Sequence, residues 1–299
     1  RDRGMISSFA GSSDYHSVLT ARLQRLGAFV QQQIGSDIPY RAYVDTGPIL
    51  EREIAARAGL GFIGKNTNLI HPQLGSWLLL GELLLPIEIS SEAPQCMVTG
   101  PDGGLAELLR QGTCGRCTRC LDACPTGAFV APYVLDSRRC ISYLTVELKG
   151  PIPAELRPLI GNRIFGCDVC QQVCPWNRRF ASPTLEEVFR SGPGASSPRL
   201  LDLMSLDDTA FRRRFRDTPV WRAKRRGLLR NVAVALGNWA DPAAEPALSR
   251  ALDDVEPLIR GHAAWALGRI ASENARRALQ AALAAETDEW VRSELKASL

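Results

Sequence analysis

The chain has 299 residues, of which 45 % are apolar and 23 % charged, with a formal net charge of +4. This is enough for two or three small domains of ordinary globular composition, and it excludes a disordered or fibrous chain. The longest apolar run, 77–85, contains Glu82 and is too short to span a bilayer, and no signal peptide is visible. A cytoplasmic protein with no membrane partner is therefore expected, and a monomer.

Leu19, Leu23, Leu26 and Val30 recur at helical spacing and predict one amphipathic helix. Residues 40–44 alternate like a strand, and Asp45-Thr46-Gly47 reads as a turn. Pro48 then suits the first position of a helix that runs to about Ala58, where Gly59 and Gly61 stop it. A loop follows through Gly64-Lys65-Asn66, and the apolar stretches 77–80 and 86–89 are predicted strands. Residues 90–104 and 191–198 are rich in small residues and read as linkers.

Beyond the second linker the pattern is helical. Arg230-Asn231-Val232-Ala233-Val234-Ala235-Leu236-Gly237 matches Gly261-His262-Ala263-Ala264-Trp265-Ala266-Leu267-Gly268, and Val291-Arg292 begins a possible third unit. A helical-hairpin period of this size fits compact HEAT-type repeats, with a plain helical bundle as the alternative. His71 and His262 show no partner in the sequence and read as structural or exposed.

Eight of the nine cysteines fall between Cys114 and Cys174; Cys96 stands apart and reads as a free thiol. Short gaps in a chain of this size indicate metal ligands rather than disulfides. Cys114-x2-Cys117-x2-Cys120-x3-Cys124-Pro125 has the spacing of a bacterial ferredoxin, in which the fourth cysteine serves the other cluster. Two-residue gaps turn three thiolates toward one cube, and the longer gap carries the fourth away. Cys167-x2-Cys170-x3-Cys174-Pro175 repeats the run without its first cysteine, and Cys140 supplies the missing ligand. The expected sets are Cys114, Cys117, Cys120 and Cys174 for one [4Fe–4S] cluster, and Cys140, Cys167, Cys170 and Cys124 for the other. Zinc also takes four cysteines, but rarely from a triple run closed by Cys-Pro.

These stretches belong to a wider pattern. It includes Tyr43-Val44-Asp45-Thr46-Gly47-Pro48, Ala58-Gly59-Leu60-Gly61-Phe62-Ile63-Gly64-Lys65-Asn66-Thr67-Asn68, and Leu74-Gly75-Ser76-Trp77. Arg139-Cys140-Ile141-Ser142-Tyr143-Leu144-Thr145 and Gly166-Cys167-Asp168-x-Cys170-Gln171-Gln172 complete it. In this order they resemble the epoxyqueuosine reductase family, which reduces the epoxide of a modified wobble nucleoside in tRNA. The resemblance covers nearly the whole chain. It implies an α/β cobalamin-binding domain, N-terminally truncated here, at 1–110. A ferredoxin-like two-cluster segment follows at 111–180. A linker, basic segment and all-α HEAT-like repeats occupy 181–299.

The resemblance further implies cobalamin as cofactor, Asp45 as the acid, and electrons that enter through the clusters from an unidentified electron donor. Lys65, Asn66, Ser76, Trp77, Ser142 and Asp168 sit in matched motifs and are the expected cobalamin contacts. Taken alone, Asp45 would read as a turn or capping residue and Trp77 equally as core. One departure stands out: Ser8 occupies the position where the family carries an arginine, ahead of a retained Asp14-Tyr15-His16.

Arg212-Arg213-Arg214-Phe215-Arg216 and Arg222-Ala223-Lys224-Arg225-Arg226 lie just before the repeats, with Phe211 and Trp221 interleaved. Arginine forks bind phosphate and aromatic faces stack on bases. Arg213, Arg214, Arg222, Lys224, Arg225 and Arg226 are accordingly expected to contact tRNA, against the plainer alternative of a solvated helix face. Another cobalamin and iron–sulfur reductase, such as a reductive dehalogenase, and a simple electron carrier are the competing functions.

Overall fold

The computed structural model describes residues 2–88, 112–190 and 194–299. Cys96, the linker at 90–104 and the boundary at 110 lie outside the described residues.

Near the N-terminus β1 (Met5–Ile6) enters the heart of the protein. Helix α1 (Tyr15–Ile34) contains the predicted Leu19 to Val30 stripe. The Asp14 side chain accepts from His16 N–H at its start, and Gly35 at φ +69° ends it in the left-handed conformation that glycine adopts without penalty. Strand β2 (Arg41–Tyr43) lies where alternation predicted it. Helix α2 (Glu51–Arg57) starts three residues after Pro48. A hairpin of β3 (Phe62–Ile63) and β4 (Leu69–Ile70) holds the Gly64–Asn68 turn at its tip.

The strand expected at 77–80 does not form. The partner of β2 is β5 (Glu82–Leu84), with Tyr43 opposite Glu82. Continuing that antiparallel register would place 77–80 opposite Asp45 and beyond, where φ of +58° at Asp45 turns β2 away. Residues 77–80 therefore have no ladder to join. The segment 86–88 is bent rather than extended, and Pro86 has no N–H to give a sheet.

In the cysteine segment, β6 (Phe129–Ala131) and β7 (Val134–Leu135) form a hairpin, and β8 (Arg163–Phe165) pairs in parallel with β1. Among the described residues every sheet is two-stranded. Short helices Arg119–Asp122 and Val169–Gln172 carry cysteines, and Tyr143–Glu147 forms a wide π turn.

The tail supplies the frame. Helices α3 (Lys224–Trp239), α4 (Pro257–Ile270) and α5 (Glu289–Ser298) stack side by side, so the third repeat begins at Glu289. A Cβ at Gly237 would lie 2.8 Å from Ala266 Cα, so the helices approach this closely only because the position is glycine. Ile6, Val146, Ile164 and Phe165 share one core with Leu228, Leu229 and Val232, joining the first strand, the cysteine segment and the tail.

Polar contacts lock the same junction. A π turn leaves carbonyls without helical partners, and buried carbonyls need donors. Arg230, fully buried, donates to Leu144 O, Leu148 O and Gly150 O at 2.6–2.8 Å. Asn231 donates to Thr145 O and Ile164 O, each at 2.8 Å. At the equivalent position of the next repeat, buried His262 accepts from Ile152 N–H through Nε2 at 3.1 Å, which makes it structural. Burial pulls the Arg230 pKa down to about 10, so it stays charged at neutral pH. Among the described residues no helix is long and apolar enough to cross a membrane.

Candidate active site and cysteine centres

Cys114, Cys117, Cys120 and Cys174 line one small cavity, together with Asn66, Ile70, Pro175 and Trp176. Cys167, Cys140 and Cys124 all lie near enough to Cys170 to act on its charge. Burial first, then these neighbouring thiols and Cys120, push the Cys170 thiol up to about 12. Among the described residues no group of three or more His, Cys, Asp or Glu side chains closes on a point where one metal ion would sit. Four thiols lining one cavity fit the four corners of an iron–sulfur cube.

The surrounding backbone points N–H groups at sulfur. Lys65 N–H reaches Cys114 Sγ at 3.4 Å, and Ala128 N–H reaches Cys124 Sγ at 3.4 Å. Lys65 Nζ donates to Gly115 O at 2.7 Å and Cys117 O at 3.1 Å. Of the residues expected at the cobalamin, Lys65 clamps the first cysteine loop and Asn66 lines its cavity, and neither lines the large cleft.

A separate cleft of about 1520 Å³ holds most other expected residues, including Asp45, Ser76, Trp77, Ser142, Asp168 and Arg222. The Asp45 carboxylate is fixed from two sides. Its Oδ2 accepts from Tyr15 Oη at 2.7 Å and from both terminal nitrogens of Arg222 at 3.2 and 3.3 Å. His16 Nε2 lies 2.7 Å from Arg222 Nη2 and 3.8 Å from Asp45 Oδ2. Behind the turn, Asp45 N–H donates to Glu51 Oε1 at 2.5 Å. Burial, and then the charge of Glu51, raise the Glu82 carboxyl to about 7. Burial, together with the bond to Asp45, drives the Tyr15 hydroxyl well above the usual phenol range.

In the same cleft Asp168 accepts from Ser7 Oγ and from Ser8 N–H, the latter at 2.8 Å. The backbone at the departing position 8 therefore anchors a cleft carboxylate. Ser76 is held by Gln171 and Asn177. The cleft exceeds the roughly 300–1,000 Å³ of ordinary small-molecule sites. Its walls combine apolar Ile63, Trp77 and Leu78 with polar Ser76, Ser142 and Asp168, which fits a large ring cofactor with polar edges. Tyr15, His16, Glu51 and Glu82 were missed as site residues. The signal for the first two was the Asp14-Tyr15-His16 run, whose aspartate caps α1 and sets the next two side chains on its first turn.

The basic segment divides. Arg222 is drawn into the cleft. Arg225 forms a two-pronged pair with Asp254 at 3.1 and 2.5 Å, with both side chains largely buried. Lys224 Nζ sits 4.5 Å above the Trp221 ring. Phe211 is in the core and stacks on Trp221 at 5.5 Å, so these rings pack the protein instead of offering faces to bases. Arg213, Arg214 and Arg226 remain exposed.

Three family models match the chain. One described as a 4Fe-4S double cluster binding domain covers residues 113–177, and one described as HEAT repeats covers 223–299. One described as epoxyqueuosine reductase QueG, DUF1730, covers 1–46. The epoxyqueuosine reductase of Pseudomonas aeruginosa is 43 % identical over 275 residues, spanning 90 % of this chain and 70 % of the relative. That of Escherichia coli K12 is 41 % identical over 268 residues, spanning 89 % and 66 %. A crystal structure of an epoxyqueuosine reductase with an epoxyqueuosine-modified tRNA-Tyr stem loop superposes with TM-score 0.88 at 35 % identity, covering 99 % of this chain and 74 % of that one. The Bacillus subtilis enzyme, in a form with its catalytic aspartate loop swung out of the active site, gives 0.84 at 34 % identity, with 99 % and 74 % covered. The chain thus spans about two thirds to three quarters of the length of these relatives.

Proposed function

This chain belongs to the epoxyqueuosine reductase family, and on that premise we propose how its cleft carries out the reduction. The substrate is epoxyqueuosine at the wobble position of tRNA. Two electrons and two protons remove the epoxide oxygen as water and leave a carbon–carbon double bond. The observation that carries this reading is the Asp45 carboxyl, held by Tyr15 and Arg222 in a cleft of about 1520 Å³.

Asp45 delivers a proton to the departing oxygen. Arg222 and Tyr15 keep its Oδ2 engaged, which leaves the other oxygen to face the substrate. Ser76, Trp77, Ser142 and Asp168 would hold cobalamin, which when bound supplies a metal centre that takes up electrons one at a time. Ser142, Asp168 and Gln171 line the cleft and lie within two residues of Cys140, Cys167 and Cys170. The Cys124, Cys140, Cys167 and Cys170 site is therefore the cysteine centre bordering the cleft, and the Cys114, Cys117, Cys120 and Cys174 site lies farther out. Exposed Arg213, Arg214 and Arg226 are left to meet tRNA phosphates.

Asp45→Asn tests this reading. The amide keeps the shape but cannot release a proton usefully, and general acids contribute about 10²–10⁴-fold. Turnover should fall by that range with cluster absorbance intact. Parental turnover would remove Asp45 from the reaction.

A further inference from the structure

We propose that the Asn66 side-chain amide donates a hydrogen bond to a sulfur of the cluster held by Cys114, Cys117, Cys120 and Cys174, and thereby makes that cluster easier to reduce. The proposal rests on the assignment of those four cysteines to one [4Fe–4S] cluster.

Asn66 is 3 % exposed and lines the cavity that the four thiols enclose. Its orientation is set by its own turn, because Oδ1 accepts from Asn68 N–H at 3.3 Å. That leaves Nδ2 as the free donor, and it is buried with no partner among the described residues. A buried amide without an acceptor is costly, so such a group calls for a ligand. The other polar side chains of the cavity are the four cysteines and the Trp176 indole, itself a donor, so the acceptors within it are sulfur: cluster-bound thiolates and sulfides carry lone pairs and no protons.

The turn is built to bring the amide there. A Cβ at Gly64 would lie 2.8 Å from Asn66 Oδ1 and 2.5 Å from Ile70 Cδ1, so only glycine leaves room. Thr67 takes φ +62° so that the chain can close back, with Thr67 N–H donating to Gly64 O at 2.8 Å. The neighbouring Lys65 N–H already points at Cys114 Sγ. Donors to sulfur stabilise the extra negative charge of the reduced cluster and raise its potential. None of the residues lining this cavity lines the large cleft. The outer cluster is thus the one placed to take electrons from the external donor, and a raised potential widens the range of donors that can load it.

The test uses the full chain with both clusters. Asn66→Asp keeps the shape and the acceptor oxygen but replaces the amide donor with a carboxylate oxygen; Asn66→Ser shortens the reach. Potentiometric titration followed by electron paramagnetic resonance should show the outer cluster shifted at least about tenfold toward the oxidised form, about 59 mV for one electron. The inner cluster should stay at its parental potential. Parental potentials for both variants at full iron content would overturn the proposal. A second measurement needs no variant: asparagine labelled with ¹⁵N at the side-chain amide should show a nitrogen coupling to the reduced outer cluster. Absence of that coupling in a parent with both clusters overturns the proposal alone. A parent that never assembles the outer cluster overturns the cluster assignment with it.

Discussion

Arg222→Met separates two roles that the basic segment left mixed. The substitution keeps an apolar stem and removes the guanidinium that donates to Asp45 Oδ2 at 3.2 and 3.3 Å and meets His16 Nε2 at 2.7 Å. A hydrogen bond to a charged group contributes about 1.5–3 kcal/mol when formed. The Asp45 and Arg222 side chains are 48 % and 28 % exposed, and water recovers part of that energy. About 1–1.5 kcal/mol of positioning remains, which is close to tenfold in rate. The assay is single-turnover conversion of epoxyqueuosine in tRNA, quantified as nucleosides by mass spectrometry, with tRNA affinity measured across salt concentrations in parallel. The rate should fall about tenfold and the salt slope should not change, because Arg222 touches no phosphate. A parental rate combined with a salt slope shallower by about one would make Arg222 a phosphate contact and refute its place beside Asp45.

Glu82 sets a pH dependence. Its folded pKa of about 7 lies above the model-peptide value of 4.5, so the stability it contributes is complete below about 4.5 and lost as pH rises through 7. The ceiling is about 3 kcal/mol, and partial exposure of Glu82 reduces it to about 1–2 kcal/mol. Urea denaturation of the parent should weaken between pH 5 and pH 8, and Glu82→Gln should flatten that fall; equal slopes for both proteins would refute it. Cys124→Ala should damage the cluster shared with Cys140, Cys167 and Cys170 and spare the outer one. Spectroscopic loss of the outer cluster instead would reverse the crossover. Charge reversal at Arg213, Arg214 and Arg226 should weaken tRNA binding and flatten its salt dependence with cluster absorbance unchanged, and unaltered affinity at matched salt would clear those residues of the interface.

What the sequence revealed was local. Cysteine spacing encodes which thiols can turn toward one point, and Cys114, Cys117, Cys120 and Cys174, grouped from gaps of two and three, do line one cavity. The Leu19 to Val30 stripe and the repeated Ala-Leu-Gly pattern likewise reflect one helix turn or one repeat at a time. What stayed hidden depended on distant partners. The apolar run at 77–80 looks like a strand, but the strand it would have paired with ends at Tyr43, two residues before Asp45 takes a left-handed conformation. Arg222 reads as one charge among many until the tail folds back and brings it to a carboxylate 177 positions away. Arg225 is removed from the surface by Asp254, and Phe211 by Trp221. Lys65 and Asn66 lay in a motif tied by resemblance to the cofactor; the β3–β4 hairpin carries Asn66 to the outer cysteine cavity and Lys65 to the backbone of the first cysteine loop.

The most direct test is chemical. The full-length protein, reconstituted anaerobically with iron, sulfide and cobalamin, is given a low-potential reductant and tRNA carrying epoxyqueuosine, and the nucleosides are then separated and weighed. The account predicts queuosine, one oxygen lighter than its precursor, formed by the parent and at least about a hundredfold more slowly by Asp45→Asn. Epoxyqueuosine recovered unchanged from a parent that holds both clusters and cobalamin would contradict it.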